Sequence, residues 1–129
     1  MGCFLGIDLG TSGVKCILVD EQGEVIAGHG EPYPLLQPRP GWFEQRPEDW
    51  WNATRTCIRQ LLRQAGRSGR DVLGVGLSGQ MHGSVFLDRD LQAVRPALLW
   101  NDQRTAEETE WIEQTVGKQR LGELTGNRA

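Results

Sequence analysis

Nowhere in the 129 residues does an apolar run approach the length that crosses a bilayer, so a membrane-spanning helix is excluded. Neither sign of charge dominates: 14 basic and 17 acidic residues leave a net charge of -3. That balance gives no electrostatic footprint for nucleic acid or for a membrane surface as partner. Cysteine is scarce, and Cys3, Cys16 and Cys57 are an odd number without metal-ligand spacing. A reduced, cytoplasmic protein is the expectation, not a disulfide framework or a zinc site. Internal repeats and low-complexity stretches are absent. Proline is nearly confined to residues 32–47, which hold five of the six. Two targeting look-alikes fail. Met1-Gly2-Cys3 lacks the Ser or Thr that a myristoylated start has at its sixth position, where this chain has Gly6. Asn52-Ala53-Thr54 falls inside an amphipathic helix pattern and is read as a chance sequon. What remains, with 38% hydrophobic residues, fits one soluble domain with one core.

The chain is organised around its start. Cys3 to Ile7 is a short apolar run that suits a strand covered on both faces. Gly10 and Gly13 bracket a tight turn, and Val14 to Val19 resumes strand character. Asp8 stands where the buried strand gives out, and a desolvated carboxylate there calls for a cation or hydrogen-bond donors. Gly10, Thr11, Ser12 and Gly13 offer free backbone N–H groups, two hydroxyls and little bulk, and Lys15 adds a positive charge. Those groups suit a phosphate, and Asp8 suits a magnesium ion or its water shell. The same residues also suit an ordinary hairpin with a polar turn.

Further along, Asp20-Glu21-Gln22-Gly23 reads as a second turn and Glu24 to Gly28 as a third strand, completing an antiparallel meander. The proline-rich stretch 32–47 reads as an extended connection, with Trp42 and Phe43 docking on the domain surface. Pro47 opens a helix, Glu48 and Asp49 favour its first turn, and Trp50, Thr54, Cys57, Leu61 and Ala65 give its apolar spacing up to Gly66. Residues 67–70 are a polar link. Val72 to Leu77 is a strand. Gly74, Gly76 and Gly79 match the spacing of a dinucleotide fingerprint, but no helix pattern opens at them, so that reading is set aside. Ser84 to Leu87 and Ala97 to Trp100 read as further short strands. Asn101 or Asp102 is placed to cap a helix with Ala106, Thr109, Ile112 and Val116 on its apolar side and Glu107, Glu108, Glu110 and Glu113 on its solvated side. After Gly117 a short turn of helix and a loop are expected.

With that order in place, four motifs carry a resemblance. Gly6-Ile7-Asp8-Leu9-Gly10-Thr11-Ser12-Gly13-Val14-Lys15 resembles the first phosphate loop of the FGGY family of carbohydrate kinases. Gly41-Trp42-Phe43-Glu44-Gln45, followed by Pro47-Glu48 and Trp50-Trp51, is similar to the family's segment before its first helix. Ser78-Gly79-Gln80-Met81-His82-Gly83 and Leu99-Trp100-Asn101-Asp102-Gln103-Arg104 resemble its two sugar-binding loops. Arg46 departs from the pattern, standing where the family often has an Asp cap.

The resemblance implies an α/β fold: an actin-like (ribonuclease H-like) ATPase domain, of which residues 1–129 would be the N-terminal portion, a mixed sheet with flanking helices. It implies phosphoryl transfer from ATP with Mg2+ to a small-molecule sugar. Asp8 would hold magnesium-bound water, and Gly10, Thr11, Ser12 and Lys15 would contact the terminal phosphate. Gln80, Met81, His82, Trp100, Asn101 and Asp102 would meet the sugar. Bland alternatives stand beside three of these: Trp100 as a core residue, Asp102 as a helix cap, His82 as a satisfied loop histidine. Gly-Gln-Met-His-Gly followed by Trp-Asn-Asp is most similar to the members that phosphorylate the ketose D-xylulose. Some gluconate-phosphorylating members share Met-His without the Gln, and a non-catalytic actin-like nucleotide-binding module is the reading from another class. The family's general base, second phosphate loop and second domain have no counterpart in these residues. The expectation is therefore an N-terminal fragment, inactive and marginally folded alone, of an enzyme for which a homodimer is one expected assembly.

Overall fold

The computed structural model describes residues 2–129. The meander forms as the turns demand: β1 (Cys3–Leu9), β2 (Gly13–Asp20) and β3 (Val25–Pro32) pair antiparallel in succession. The Asp20 carboxylate accepts from the N–H groups of Gln22 and Glu24 and fixes the second turn. β3 runs past Gly28 because its ladder with β2 continues to the Gly13–Pro32 pair.

The stretch that follows crosses as a strap. Leu36 and Glu44 exchange both backbone hydrogen bonds at 2.9 Å, and β4 (Glu44–Gln45) ends it. Helix α1 (Pro47–Gln64) comes next. It closes in a Schellman motif: Arg67 N–H reaches the Leu62 carbonyl and Gly66 N–H reaches Arg63, with Gly66 at φ +61°, which a side chain would resist. Its other end is weaker. Arg46 occupies the N-cap position and makes no side-chain cap. Arg46→Ser is expected to raise stability by about 1 kcal/mol by bonding a free first-turn N–H and removing a cation from the positive helix end. Urea unfolding of the two proteins checks this; an unchanged or lower midpoint would show that water already caps the helix equally well.

β5 (Val72–Gly79) then returns beside β1 in parallel, giving a mixed sheet in the order β3-β2-β1-β5. It runs through all three glycines of the fingerprint-like spacing. β6 (Ala97–Leu98) pairs with β4 in a separate two-stranded ribbon, and Trp100, expected within this strand, lies past its end. Helices α2 (Ala106–Val116) and α3 (Lys118–Thr125) pack on one another.

The core follows the strand period. Cys3, Leu5 and Ile7 of β1 and Val14, Cys16 and Leu18 of β2 point to one face, where Cys57 and Leu61 of α1 and Tyr33 join them. Burial pushes the Cys16 thiol up to about 12 and raises that of Cys57, so both behave as core hydrophobes and not as nucleophiles.

Several expectations are corrected. β1 is covered on one face only. α1 packs against β2 and β3 from one side, and on the other Phe4 and Ile17 are exposed. Val75 and Leu77 of β5 pair with Leu5 and Ile7 and share their face, yet stay exposed, Leu77 by 73%, because α1 does not extend over β5. Residues 84–87 form no strand. Ser84 bridges Leu98 and Leu87 bridges Ala93, two partners for one bridge each, so no ladder propagates. Neither Asn101 nor Asp102 caps α2. The helix begins at Ala106 after Thr105, because the Asp102 carboxylate is spent elsewhere. α3 has eight residues, not one turn, and buries Leu121.

Candidate active site

The turn between β1 and β2 forms one wall of an open cleft of about 350 Å3, lined by Asp8, Gly10 to Lys15 and Gly30 to Pro32. Asp8 and Lys15 are register partners across the two strands, and both are exposed. Even-numbered β1 positions point to the uncovered face, so Asp8 is not desolvated as expected. It needs no partner cation, and among the described residues its carboxylate has no hydrogen bond or ion pair.

The turn itself is held from behind. Gly10 N–H bonds the Gly13 carbonyl at 3.0 Å. The Gly10 carbonyl accepts from the Tyr33 hydroxyl and from Gln80 Nε2. The Thr11 carbonyl accepts from Gln45 Nε2 at 2.7 Å, and the Ser12 carbonyl from Tyr33 N–H at 3.3 Å. Gly13 is obligatory in this packing, since a Cβ there would come within 2.5 Å of the Glu31 carbonyl oxygen. Burial, with Asp8 nearby, raises the Tyr33 hydroxyl above its usual range, so it stays a donor.

The Gln80–Gly83 loop leaves the end of β5 beside this turn. β1 and β5 are parallel in register, with Asp8 opposite Ser78 and Leu9 opposite Gly79. Gln80 turns inward: its side chain bonds Gly10, Gln45 and the Thr11 hydroxyl. Met81 is exposed. His82 is exposed at φ +56°, in the left-handed region where His is tolerated but uncommon.

A second hollow of about 410 Å3 gathers His82, Leu99, Trp100, Asp102 and Arg128. Trp100 is 55% exposed, so it is not a core residue in this structure. Met81 and Asn101 do not line this hollow, and Asn101 Oδ1 is buried without a hydrogen-bond partner among the described residues.

Behind Trp100 lies a charge cluster that sequence reasoning missed. Arg104 grips Asp102 with two bonds, Nε to Oδ1 at 2.8 Å and Nη2 to Oδ2 at 2.7 Å, and also meets Glu44 at 2.8 Å. Arg95 binds the same Glu44 oxygen at 2.7 Å. The Arg104 guanidinium stacks 3.9 Å over the Trp42 ring, which docks that residue as expected. Phe43 N–H also donates to Asp102, at 2.7 Å. The Arg104 hydrogen bonds dominate and hold the Asp102 carboxyl down at about 2, against the desolvation that would raise it. Gln45 and Tyr33 were missed as well. The available signals were the presence of Glu44, Gln45 and Arg104 inside quoted motifs and the uniqueness of Tyr33 in the composition.

The sequence matches the FGGY family of carbohydrate kinases, N-terminal domain, over residues 3–129. The chain belongs to that family. FGGY relatives include a xylulose kinase from Klebsiella pneumoniae, 52% identical over 124 residues, which are 96% of this chain and 25% of the relative. A xylulose kinase from Escherichia coli is 48% identical over the same shares. The crystal structure of xylulose kinase from Rhodospirillum rubrum superposes with a TM-score of 0.91 at 29% identity, over 98% of this chain and 26% of that one. The chain thus spans about a quarter of the length of the relatives it matches. Its fold is that of the FGGY kinases, an actin-like ATPase fold, and the family's chemistry is ATP-dependent phosphorylation of small sugars. No helix among the described residues is long and apolar enough to cross a membrane.

Proposed function

We propose that this chain supplies the N-terminal part of the first domain of an ATP-dependent ketose kinase, converting D-xylulose to D-xylulose 5-phosphate. The observation that carries the reading is the adjacency of the two loops: the Gly10–Gly13 turn and the Gln80–Gly83 loop leave neighbouring parallel strands and are bonded through Gln80. A phosphoryl donor on the first and a sugar on the second would be held side by side, which is what transfer by positioning requires.

In this reading Gly10, Thr11 and Ser12 bind the terminal phosphate and Lys15 offsets its charge. Asp8 is a single unpartnered carboxylate beside a phosphate site, and among the described residues no cluster of three acidic, His or Cys side chains exists. That donor set fits Mg2+, which keeps most of its waters and takes substrate phosphates as ligands. When bound there, the ion would supply charge neutralisation at the phosphates. Gln80, Met81, His82, Trp100, Asn101 and Asp102 form the sugar side, with Trp100 presenting its face to sugar carbons and His82 exchanging a hydrogen bond with a hydroxyl. Asp102 acts there mainly by holding the Trp100–Asn101 loop, since Arg104 and Phe43 already use its oxygens. The general base and the adenosine pocket belong to the rest of the enzyme.

The direct test is ATP-dependent phosphorylation of D-xylulose by the whole enzyme, with gluconate and glycerol as competitors. A preference for gluconate would overturn the substrate assignment. A second measurement separates the loops. His82→Ala is expected to raise KM for D-xylulose by roughly 5- to 150-fold, the cost of about 1–3 kcal/mol for an unpaired buried hydroxyl, with KM for ATP little changed. Because Ala is strained at φ +56°, His82→Asn, which tolerates that backbone, should show the same split. A rise in the ATP constant alone would put the loop on the nucleotide side.

A further inference from the structure

The geometry points to Gln45 as a positioning residue for phosphoryl transfer, a role that rests on reading the Gly10–Gly13 turn as the phosphate loop. Gln45 is 0% exposed and both ends of its amide are hydrogen-bonded. Its orientation is settled by its neighbour. The Trp50 indole can only donate, and it lies 2.9 Å from Gln45 Oε1. The opposite atom is therefore the NH2 group, and it donates to the Thr11 carbonyl at 2.7 Å. Oε1 also takes a bond from Gln80 Nε2 at 3.3 Å, and that same Gln80 nitrogen bonds the Gly10 carbonyl at 3.2 Å.

The consequence follows from the planar trans peptide, in which C=O and N–H point in opposite directions. A Thr11 carbonyl held inward by Gln45 turns the Ser12 N–H outward. A Gly10 carbonyl held inward by Tyr33 and Gln80 does the same for the Thr11 N–H. Phosphate oxygens accept from N–H groups, so the buried amide sets the polarity of the loop. Without it the Thr11–Ser12 peptide can rotate and present a carbonyl, which repels phosphate. Because Gln45 also holds Gln80, the same side chain keeps the phosphate turn and the sugar loop in one register.

The test uses the whole enzyme with saturating Mg2+ and three variants. Gln45→Leu removes every bond of the hub. Gln45→Glu keeps its size and the acceptor for Trp50 but loses the donor to Thr11. Trp50→Phe removes the Trp50 bond and leaves Gln45 on Thr11. Both Gln45 variants are expected to lose about 10- to 100-fold in kcat from misplaced donors, with a raised KM for ATP. KM for the ketose stays nearly unchanged in Gln45→Glu, which keeps the acceptor for Gln80, and rises in Gln45→Leu, which does not. Trp50→Phe is expected to lower the melting temperature and leave kcat close to wild type. Should Gln45→Leu fail to fold, Gln45→Glu decides. A folded Gln45 variant with wild-type kcat overturns the inference, as does a Trp50→Phe variant that loses as much turnover as Gln45→Glu. The wild-type enzyme is the separate arm: if it transfers phosphate from ATP to no sugar, the kinase reading itself fails.

Discussion

Asp8→Asn is expected to lower kcat by about 100- to 1,000-fold while KM for the sugar stays near wild type, the pattern of a group that acts on charge developing in the transition state. The motive is geometric. Asp8 is an unpaired carboxylate one residue before the end of β1, at the mouth of the cleft that the Gly10–Gly13 turn walls. The substitution is nearly isosteric, and the Asp8 side chain makes no bond that folding depends on, so a structural cost is not expected. Lys15, its register partner, remains in place as an internal control on the charge of the cleft. Steady-state kinetics at saturating magnesium is the measurement. Turnover within a few-fold of wild type would remove Asp8 from the reaction, and a large rise in the sugar constant alone would move it to the sugar side.

Arg104→Met is expected to be the most destabilising single change in the site, by about 3 kcal/mol, because it strands carboxylates that are almost out of water. Arg104, Asp102 and Glu44 keep only 11%, 5% and 10% of their side-chain surface exposed. Glu44 retains Arg95, but Asp102 keeps only backbone donors. The acid response gives a second, independent readout. The folded-state carboxyl of Asp102 titrates at about 2, below the roughly 3.9 of an unfolded Asp. Its contribution to stability is thus fully present above about pH 4 and is lost as pH falls toward 2. In Arg104→Met that portion of the acid sensitivity should shrink. Urea midpoints of both proteins between pH 7 and pH 2 check both statements. A variant as stable as wild type would mean that the cluster is solvated in solution.

Much of the architecture is written in local signals. The meander is legible because its two turns carry their own chemistry, and α1 because Pro47, the apolar spacing and Gly66 agree on one helix. The buried face of β1 is not: Cys3 to Ile7 reads as a run covered on both faces, and only the docking of α1 on one side of the sheet decides which face is core. What is not legible depends on pairing between distant residues. Val85, Phe86 and Leu87 have strand composition, yet a strand needs a continuous partner, and the segment finds only single bridges. β4 is two residues that become a strand only because Ala97 and Leu98 arrive beside them. The same holds for the site. The Gly-Thr-Ser-Gly turn announces itself by residue type, and the structure gathers Asp8 and Lys15 with it around one cleft. Gln45 and Tyr33 act by holding backbone carbonyls far away in sequence, and Arg104 by joining the carboxylates of Asp102 and Glu44, and nothing in their spacing says which groups those are.

The parallel pairing of β1 with β5 also sets a timetable. The β1–β2 hairpin closes across a short turn and can form within microseconds of its synthesis. Its second anchor, Gln80, stands 70 positions after Gly10. At ordinary translation rates those residues take roughly 4 to 14 seconds to appear. During that interval β1 is the outer strand of a three-stranded sheet, its N–H and C=O groups unpaired on the side that β5 will take. The nascent meander therefore emerges with a sticky edge at the very strand that carries Asp8. A cell that makes this chain meets that edge before it meets the finished cleft, and slow translation between the two is when a holding chaperone has something to bind.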